Sequence, residues 1–517
     1  MSAWAPGSPM LEFGQPTPFP HRESASFESL SLSRKPSTDI SLEELLPRDA
    51  EVRGPVTVRI SDVAYRSGAV RPGTLFFCVP GRSSDGHDFA GDAVRNGAAA
   101  LVVERWLDHE VPQVLVPSVR ATMGPLSAAV FGRPADRLAI VGITGTNGKT
   151  TTTYLLESVF RAAGLVPGVV GTTGVRVDGK ASPLLHTTPE APDLHRLLAQ
   201  MEDAGVRAVA MEVSSHGLDQ HRIGGIRYSC AVFTNLSQDH LDYHEDLADY
   251  FRAKSKLFRP EMAERAAINV DNDAGRRLLG TGLPTLTYGV SEDADVRGTN
   301  VQATAEGISF DVDVMHLDSR LRGRYNVENC LAAIAAARSL GIDDASTVDG
   351  LRRVTGVPGR LEPVDRGQDF AVLVDYAHTP DSVQNVLRAA RPLAAGRLIV
   401  VLGCGGDRDR TKRPLMGKAA TSLADLSIIT SDNPRSEDPL AIITEIEPGA
   451  RGGGGAYEII PDRREAIRAA VRAAGTGDVV VIAGKGHETG QQFADRTIPF
   501  DDRVVAAEEI EALGEGS

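Results

Sequence analysis

The chain has 517 residues, enough for about three domains. Its 42% hydrophobic and 24% charged residues are an ordinary soluble balance, and no apolar run approaches the ~20 residues that a membrane span needs. A net charge of −14 disfavours a nucleic-acid or anionic-membrane surface, although local cations can still hold an anionic nucleotide.

Residues 1–50 are rich in Pro and Ser, with neither a basic start nor a hydrophobic segment. They read as a disordered tail, not a signal peptide. Cys78, Cys230, Cys330 and Cys404 are far apart, without metal-ligand spacing, as expected of reduced core thiols in a cytosolic protein. Residues 51–137 alternate short strands (VTVRI, TLFFCV, AALVV, QVLVP) with Ala-rich helical stretches, which predicts a small α/β domain. Its loop SDVAYRSGAVRPGTLF offers Ser67 near strand ends, where open α/β sheets bind ligands.

Residues 138–359 form a second predicted domain, organised around LAIVGITGTNGKTTT. Leu138, Ile140, Val141 and Ile143 suit a buried parallel strand, and Gly145, Thr146, Asn147 and Gly148 break it. Lys149, Thr150 and Thr151 then open a helix. Strand, glycine loop and helix start make an anion cradle, in which backbone N–H groups and Lys149 meet phosphate and Thr150 can hold Mg²⁺. The strict P-loop spacing places its first glycine at Ile143, so the loop is a variant. Glu212 ends the strand AVAMEV, where a carboxylate can reach a phosphate-bound Mg²⁺. His240 follows the next strand, CAVFTNL; hard Mg²⁺ prefers oxygen, so alone it is a weak ligand. In DLADYFRAKSKLF, Leu247, Tyr250, Phe251, Leu257 and Phe258 form one helical stripe, and Lys254 sits in its middle. A buried amine has a lowered pKa and can react with CO₂ to give an anionic carbamate; a lysine that snorkels to water is the alternative.

Residues 360–517 repeat the alternation (FAVLVDYA, RLIVVLGCGG, LSIITSD, YEIIPD, DVVVIAGKG), which predicts a third, doubly wound domain. The run 452–455 reads as a flexible glycine loop. Asp432, Asn433, Pro434 and Arg435 follow one strand in a turn that can aim the Arg435 guanidinium at a carboxylate. Arg408 leaves the neighbouring strand end, and Gly484 and Glu488 leave the next. Two cations and a carboxylate suit a zwitterionic amino acid.

Ten segments in this order resemble the Mur ligase family from about residue 55 to 510: GTNGKTT, HTTP, EVSSHGLDQHR, FTNLSQDHLDYH, AKSKLF, YNVENCLAA, DYAHTP, GCGGDRDRTKRP, DNPR and GKGHE. The resemblance implies a small N-terminal α/β domain, a central P-loop-type ATPase domain and a C-terminal Rossmann-like domain. It implies a cytoplasmic, monomeric ATP-dependent ligase of peptidoglycan precursor synthesis with ATP and Mg²⁺ as cofactors. ATP would phosphorylate the D-Glu side-chain carboxylate of UDP-MurNAc-L-Ala-D-Glu, and the amine of meso-diaminopimelate would attack the acyl phosphate. By the same resemblance, Gly145, Thr146, Asn147, Gly148, Lys149, Thr150, Thr151, Asn326, Arg360 and Asp375 serve ATP. Thr150, Glu212, His240 and carbamylated Lys254 serve the metal. Ser67, Thr187, Thr188, Ser214, Gln220 and Arg222 hold the UDP-sugar dipeptide, while Arg408, Asp432, Asn433, Pro434, Arg435, Gly484 and Glu488 hold diaminopimelate. His186 stands where some relatives carry Asn, and Arg82-Ser83-Ser84 also departs from the pattern. Folylpolyglutamate synthetase is the alternative enzyme reading, but it needs no separate N-terminal nucleotide-sugar domain and leaves DNPR unexplained. A regulatory module that lost catalysis is expected to lack Lys149, Glu212 or Lys254, and all three are present.

Overall fold

A computed structural model describes residues 39–46, 50–81, 84–184 and 186–515. Most of the expected tail, and the Arg82-Ser83 departure, lie outside the described residues.

The first sheet runs in the order Glu51–Arg53, Gln113–Leu115, Ala98–Val103, Thr74–Phe77, Asp62–Ala64, parallel except for its first pair. Alternation along its strands splits the core: Leu75, Phe77, Ala100 and Val102 pack on the helix Val119–Val130, and Phe76, Leu101 and Val103 pack on Ala90 and Ala93. One part of the tail reading is corrected here. Ile40–Ser41 pairs with Arg59–Ile60, and Leu42–Leu45 forms a helical turn that buries both leucines. The reason is local. Ser41 and Glu44 form a capping box, with the Ser41 hydroxyl accepting from the Glu44 N–H.

The central sheet has nine strands, in the order Lys180–Ser182, Gly174–Val177, Pro167–Gly171, Ala208–Glu212, Ala139–Thr144, Cys230–Phe233, Ala266–Asn269, Thr285–Gly289, Val296–Arg297. The seven from Pro167–Gly171 onward are parallel. Apolar runs such as Ile140-Val141 and Val232-Phe233 are buried on both faces, as a covered parallel sheet requires. A three-stranded antiparallel sheet (Thr299–Ala303, Ile308–Val312, Met315–Ser319) shares its core with the helix Tyr325–Ser339.

The third sheet orders Glu362–Pro363, Ala371–Asp375, Val479–Ala483, Leu398–Cys404, Leu426–Ser431, Ala456–Ile459, with only the first strand antiparallel. Residues 452–455 are not a free loop. The helix Pro439–Gly453 runs into them and ends at Gly454, whose φ of +88° is a left-handed cap. A Cβ on Gly453 would lie 1.9 Å from Thr421 Oγ1, so close packing on the helix Lys412–Leu423 requires glycine there.

Under this sheet Arg463 and Asp502, both fully buried, form a bidentate pair at 2.8 and 2.7 Å. Arg463 also donates to the last carbonyls of two strands, Ser431 O at 3.2 Å and Ala483 O at 3.0 Å. Removing one partner of a buried pair leaves an uncompensated charge. Asp502→Asn is therefore expected to lower unfolding stability by about 3–5 kcal/mol. Urea unfolding would measure it, and a loss under about 1 kcal/mol would mean that water reaches the pair.

Polar contacts join the three units. Tyr65 donates to Asp193 at 2.8 Å and Arg196 pairs with Asp62 at 2.8 Å across the first boundary. Asn147 donates to Asp381 at 2.9 Å and Gln238 to Thr411 at 3.0 Å across the second.

Candidate functional site

Parallel register decides where the site lies. Glu212 stands level with Ile143, and Phe233 with Thr144, so three strands end together at one sheet edge. The glycine loop leaves that edge and starts the helix Lys149–Ala162. Gly145 and Gly148 have φ of +150° and +88°, and a Cβ on either would strike Thr234 Oγ1 or Asn329 Oδ1. The loop is fastened from outside: Thr146 N–H donates to Asn235 O, and Asn147 N–H to Asn235 Oδ1, each at 2.9 Å. A cleft of about 1200 Å³ opens here between the central and third sheets.

Thr146, Asn147, Gly148, Lys149, Thr150 and Thr151 line its floor. Lys149 Nζ folds back onto the loop, donating to Gly145 O at 2.9 Å and Thr146 O at 2.8 Å. Lys254 Nζ donates to the same Gly145 O at 2.8 Å, and Lys254 is only 1% exposed. Two amines thus converge on one carbonyl. Burial pulls the pKa of each down, and Lys149 lowers that of Lys254 further. The snorkelling alternative fails, because the Lys254 amine lies 4.4 Å over the Tyr250 ring and not in water. Tyr250, Phe251, Leu257 and Phe258 are buried as the stripe predicts; Leu247 is 44% exposed, since the first turn of the helix Leu247–Ser255 projects past the core.

Glu212 is buried, with Oε1 accepting from Thr150 Oγ1 at 3.0 Å and from the Thr172 N–H at 2.9 Å. Arg360 reaches Thr150 Oγ1 at 3.2 Å, and Asp375 accepts two backbone N–H bonds, from Leu361 and Ala377, at 2.8 Å each. His240 takes a left-handed φ of +57° beside Asp239. Burial drops its pKa to about 3, and burial drops that of His216, whose ring lies 5.0 Å away, to about 4.

Thr187, Thr188, Ser214, Gln220 and Arg222 line the far wall. Thr188 Oγ1 accepts from the Ser214 N–H at 3.0 Å, and Arg222 donates to Thr188 O at 3.0 Å and Gln220 Oε1 at 2.8 Å. His186 lines the same wall. Ser67 does not; it opens the short turn Ser67–Ala69 in the first unit, away from this cleft. Asn326 is also outside, bonded to Arg322 O and Asn329 and facing a separate cavity of about 210 Å³. Asn329, one turn on, lines the cleft in its place.

Of the expected amino-acid residues, Arg408 lines the cleft. Asp432, Asn433, Pro434, Arg435, Gly484 and Glu488 gather beyond it, at neighbouring loops of the third sheet. Asn433 Nδ2 donates to Glu488 Oε2 at 2.8 Å, and a Cβ on Gly484 would lie 2.4 Å from Asp432 Oδ2. Arg435 is half-buried at φ +52°, with Nη1 donating to Gly406 O at 2.6 Å. Burial, then the Arg408 guanidinium, pull its pKa down. Among the described residues no carboxylate forms an ion pair with it, which leaves a fork ready for an anion.

The family models match along the chain: the Mur ligase family catalytic domain over residues 59–130, the Mur ligase middle domain over 143–337, and the Mur ligase glutamate ligase domain over 359–486. The chain belongs to the Mur ligase family. A UDP-N-acetylmuramoyl-L-alanyl-D-glutamate--2,6-diaminopimelate ligase of Geobacillus thermodenitrificans is 49% identical over 84% of this chain and 92% of its own length. A solved structure of a ligase of that name is 34% identical, with a TM-score of 0.67, over 92% of this chain and 100% of that one. MurF from Acinetobacter baumannii, 18% identical with a TM-score of 0.66 over 92% of this chain and 100% of its own, shares the fold.

In this Mur ligase the cleft is also lined by a buried carboxylate that motif reading passes over. Asp239 is buried between units, held by Lys412 Nζ at 3.2 Å and His378 Nε2 at 3.6 Å from the third. Its pKa stays well below the carboxylate range: burial opposes this, but the His378 hydrogen bond and the Lys412 ammonium outweigh it. The one available signal is position, since Asp239 directly precedes His240.

Proposed function

We propose that this ligase joins meso-2,6-diaminopimelate to UDP-MurNAc-L-Ala-D-Glu, using ATP, in peptidoglycan precursor synthesis. The observation that carries the reading is the pairing of a lysine-lined phosphate loop with an Arg435 guanidinium that has no ion pair among the described residues, in a chain 49% identical to a ligase of that name. In the first step an oxygen of the D-Glu side-chain carboxylate attacks the γ-phosphorus of ATP, forming an acyl phosphate and releasing ADP. In the second, the amine nitrogen attacks the acyl carbon, the bond to phosphate breaks and a proton leaves nitrogen, giving an amide and inorganic phosphate. Lys149 and the loop N–H groups meet the phosphates; Asn147, Arg360 and Asp375 flank them. Thr187, Thr188, Ser214, Gln220 and Arg222 hold the UDP-sugar dipeptide.

The residues present fit Mg²⁺. Thr150 and Glu212 put hard oxygens 3.0 Å apart, and a carbamate on Lys254 adds another, while the low pKa of His240 keeps its imidazole neutral for a supporting role. The described residues hold no cluster of three or more His, Cys, Asp or Glu built for a metal; an ion shared with ATP phosphates needs none. Bound there, Mg²⁺ would neutralise phosphate charge. Supporting a reducing, cytoplasmic setting, the four cysteines are buried free thiols. Among the described residues no helix is long and apolar enough to cross a membrane.

Phosphate release with UDP-MurNAc-L-Ala-D-Glu and a panel of amino acids tests the reading. Lysine lacks the distal carboxylate and would leave Arg435 unpaired, a loss on the order of 2–5 kcal/mol. Diaminopimelate should therefore exceed lysine by roughly 30-fold to several thousand-fold in kcat/KM. Arg435→Ala should raise KM for diaminopimelate far more than for ATP and narrow that gap. Equal use of lysine by the wild type, or full discrimination in the variant, would remove Arg435 as selector.

A further inference from the structure

We propose that Lys485 is a positioning residue for the incoming amino acid, a cation sealed beneath the pocket that ties the Asn433 amide to the Glu488 carboxylate and sets how that carboxylate is presented. The inference rests on the reading of residues 432–435 and 484–488 as the amino-acid pocket.

Lys485 is 0% exposed, so it cannot itself touch a bound amino acid. Its Nζ donates to Asn433 Oδ1 at 2.9 Å and to Glu488 Oε2 at 3.3 Å. Asn433 Oδ1 accepts a second bond, from the Gln492 N–H at 3.0 Å. An asparagine amide is nearly symmetric in shape, and only its partners choose between the two flips. A lysine has donors and no acceptor, so it forces the amide oxygen inward and the NH₂ outward. In that orientation Asn433 Nδ2 meets Glu488 Oε2 at 2.8 Å.

The consequence reaches the pocket through Glu488. Its Oε2 is occupied by two donors from below, Asn433 and Lys485. Among the described residues its Oε1 has no partner, and the side chain is 31% exposed. One carboxylate oxygen is therefore tied down and the other is left unbonded on a part-exposed side chain, close enough for Glu488 and Arg408 both to act on the charge of Arg435. An oxygen acceptor opposite two guanidiniums fits the ammonium and carboxylate of one amino acid. Burying an ammonium is costly without partners, and here both partners are groups of the pocket.

The loops themselves are fastened independently of Lys485. Gln491 Nε2 donates to Asp432 O at 2.7 Å, and Arg463 holds Ser431 O and Ala483 O. Loss of Lys485 should free the Glu488 carboxylate from below and loosen the Asn433 amide, which keeps its Gln492 N–H donor, while leaving the loops in place. The expected signature is a rise in KM for the amino acid, not general loss of structure.

Lys485→Met keeps the unbranched shape, one atom shorter, and removes the donor. It should raise KM for meso-diaminopimelate about 10- to 100-fold, with KM for ATP and for UDP-MurNAc-L-Ala-D-Glu within about twofold of wild type. Combined with Asn433→Ala it should cost little more than Asn433→Ala alone, because both act on one network. Lys485→Gln, which can still donate to Asn433, should fall between wild type and Lys485→Met. An unchanged diaminopimelate KM, an equal rise in all three KM values, or multiplying effects in the double variant would overturn the proposal. So would failure of both Lys485 variants to fold, which would make the residue structural. If the wild type turns over no amino acid, the underlying reading fails; if it uses diaminopimelate and Lys485→Met keeps its KM, this inference alone fails.

Discussion

Lys149→Ala is expected to lower phosphate release by about 10³-fold or more while leaving the melting temperature close to wild type. Among the described residues the lysine bonds only to loop carbonyls, Gly145 O and Thr146 O, so its removal takes away no distant contact. The loop keeps its other fastenings to Thr234 and Asn235. What is lost is a cation at the place where phosphoryl charge spreads in the transition state. Single preorganised groups of this kind are worth roughly 10²- to 10³-fold, and cations on a transferring phosphoryl group up to about 10⁵-fold. Burial lowers the pKa of Lys149, and Glu212 and Asp239 act to raise it, so bound phosphate would hold the ammonium charged. Near-wild-type phosphate release would remove the P-loop reading and, with it, the placement of ATP.

Much of this site is legible in the sequence because its parts are local. A buried strand, two glycines and Lys-Thr in succession specify the cradle, and a 3.6-residue stripe places Lys254 at a buried position. The strand ends that carry Glu212, Arg408, Asn433 and Gly484 are visible as breaks after apolar runs. What escapes is what depends on neighbours distant in sequence. Asp239 gains meaning only from Lys412 and His378, more than 130 residues away. Lys485 sits inside a recognised motif, yet its role appears only when Asn433, 52 residues away, is placed beside it. Asn326 and Asn329 differ by one helical turn, and the direction of the helix, invisible in composition, decides which faces the cleft. Two misreadings were compositional. Glycine at 453 serves close helix packing, not flexibility, and a short Ser41–Glu44 capping box folds part of a Pro- and Ser-rich stretch.

Lys254→Ala should lose activity on the order of 10²- to 10³-fold, and short carboxylic acids such as acetate should restore part of it. The argument begins with charge. Lys149 and Lys254 place two amines on one carbonyl, 2.9 and 2.8 Å from Gly145 O. Two ammonium groups there would repel each other in a buried setting that screens them poorly. Burial holds the pKa of Lys254 well below the usual lysine range, and the Lys149 charge adds to the effect. A neutral amine is a nucleophile toward CO₂. The N–C bond forms, a proton leaves nitrogen, and the product is an N-carboxylate of charge −1. That anion would turn the repulsion with Lys149 into attraction and would add a carboxylate to the cleft that Thr150 and Glu212 also line. Alanine removes both amine and anion, leaving a space that a small carboxylate can enter. Carbon-13 NMR of active enzyme in labelled bicarbonate should show one carbamate signal that is absent from Lys254→Ala. Intact active enzyme carrying only free amine, or a variant that no carboxylate rescues, would leave Lys254 as a buried structural lysine.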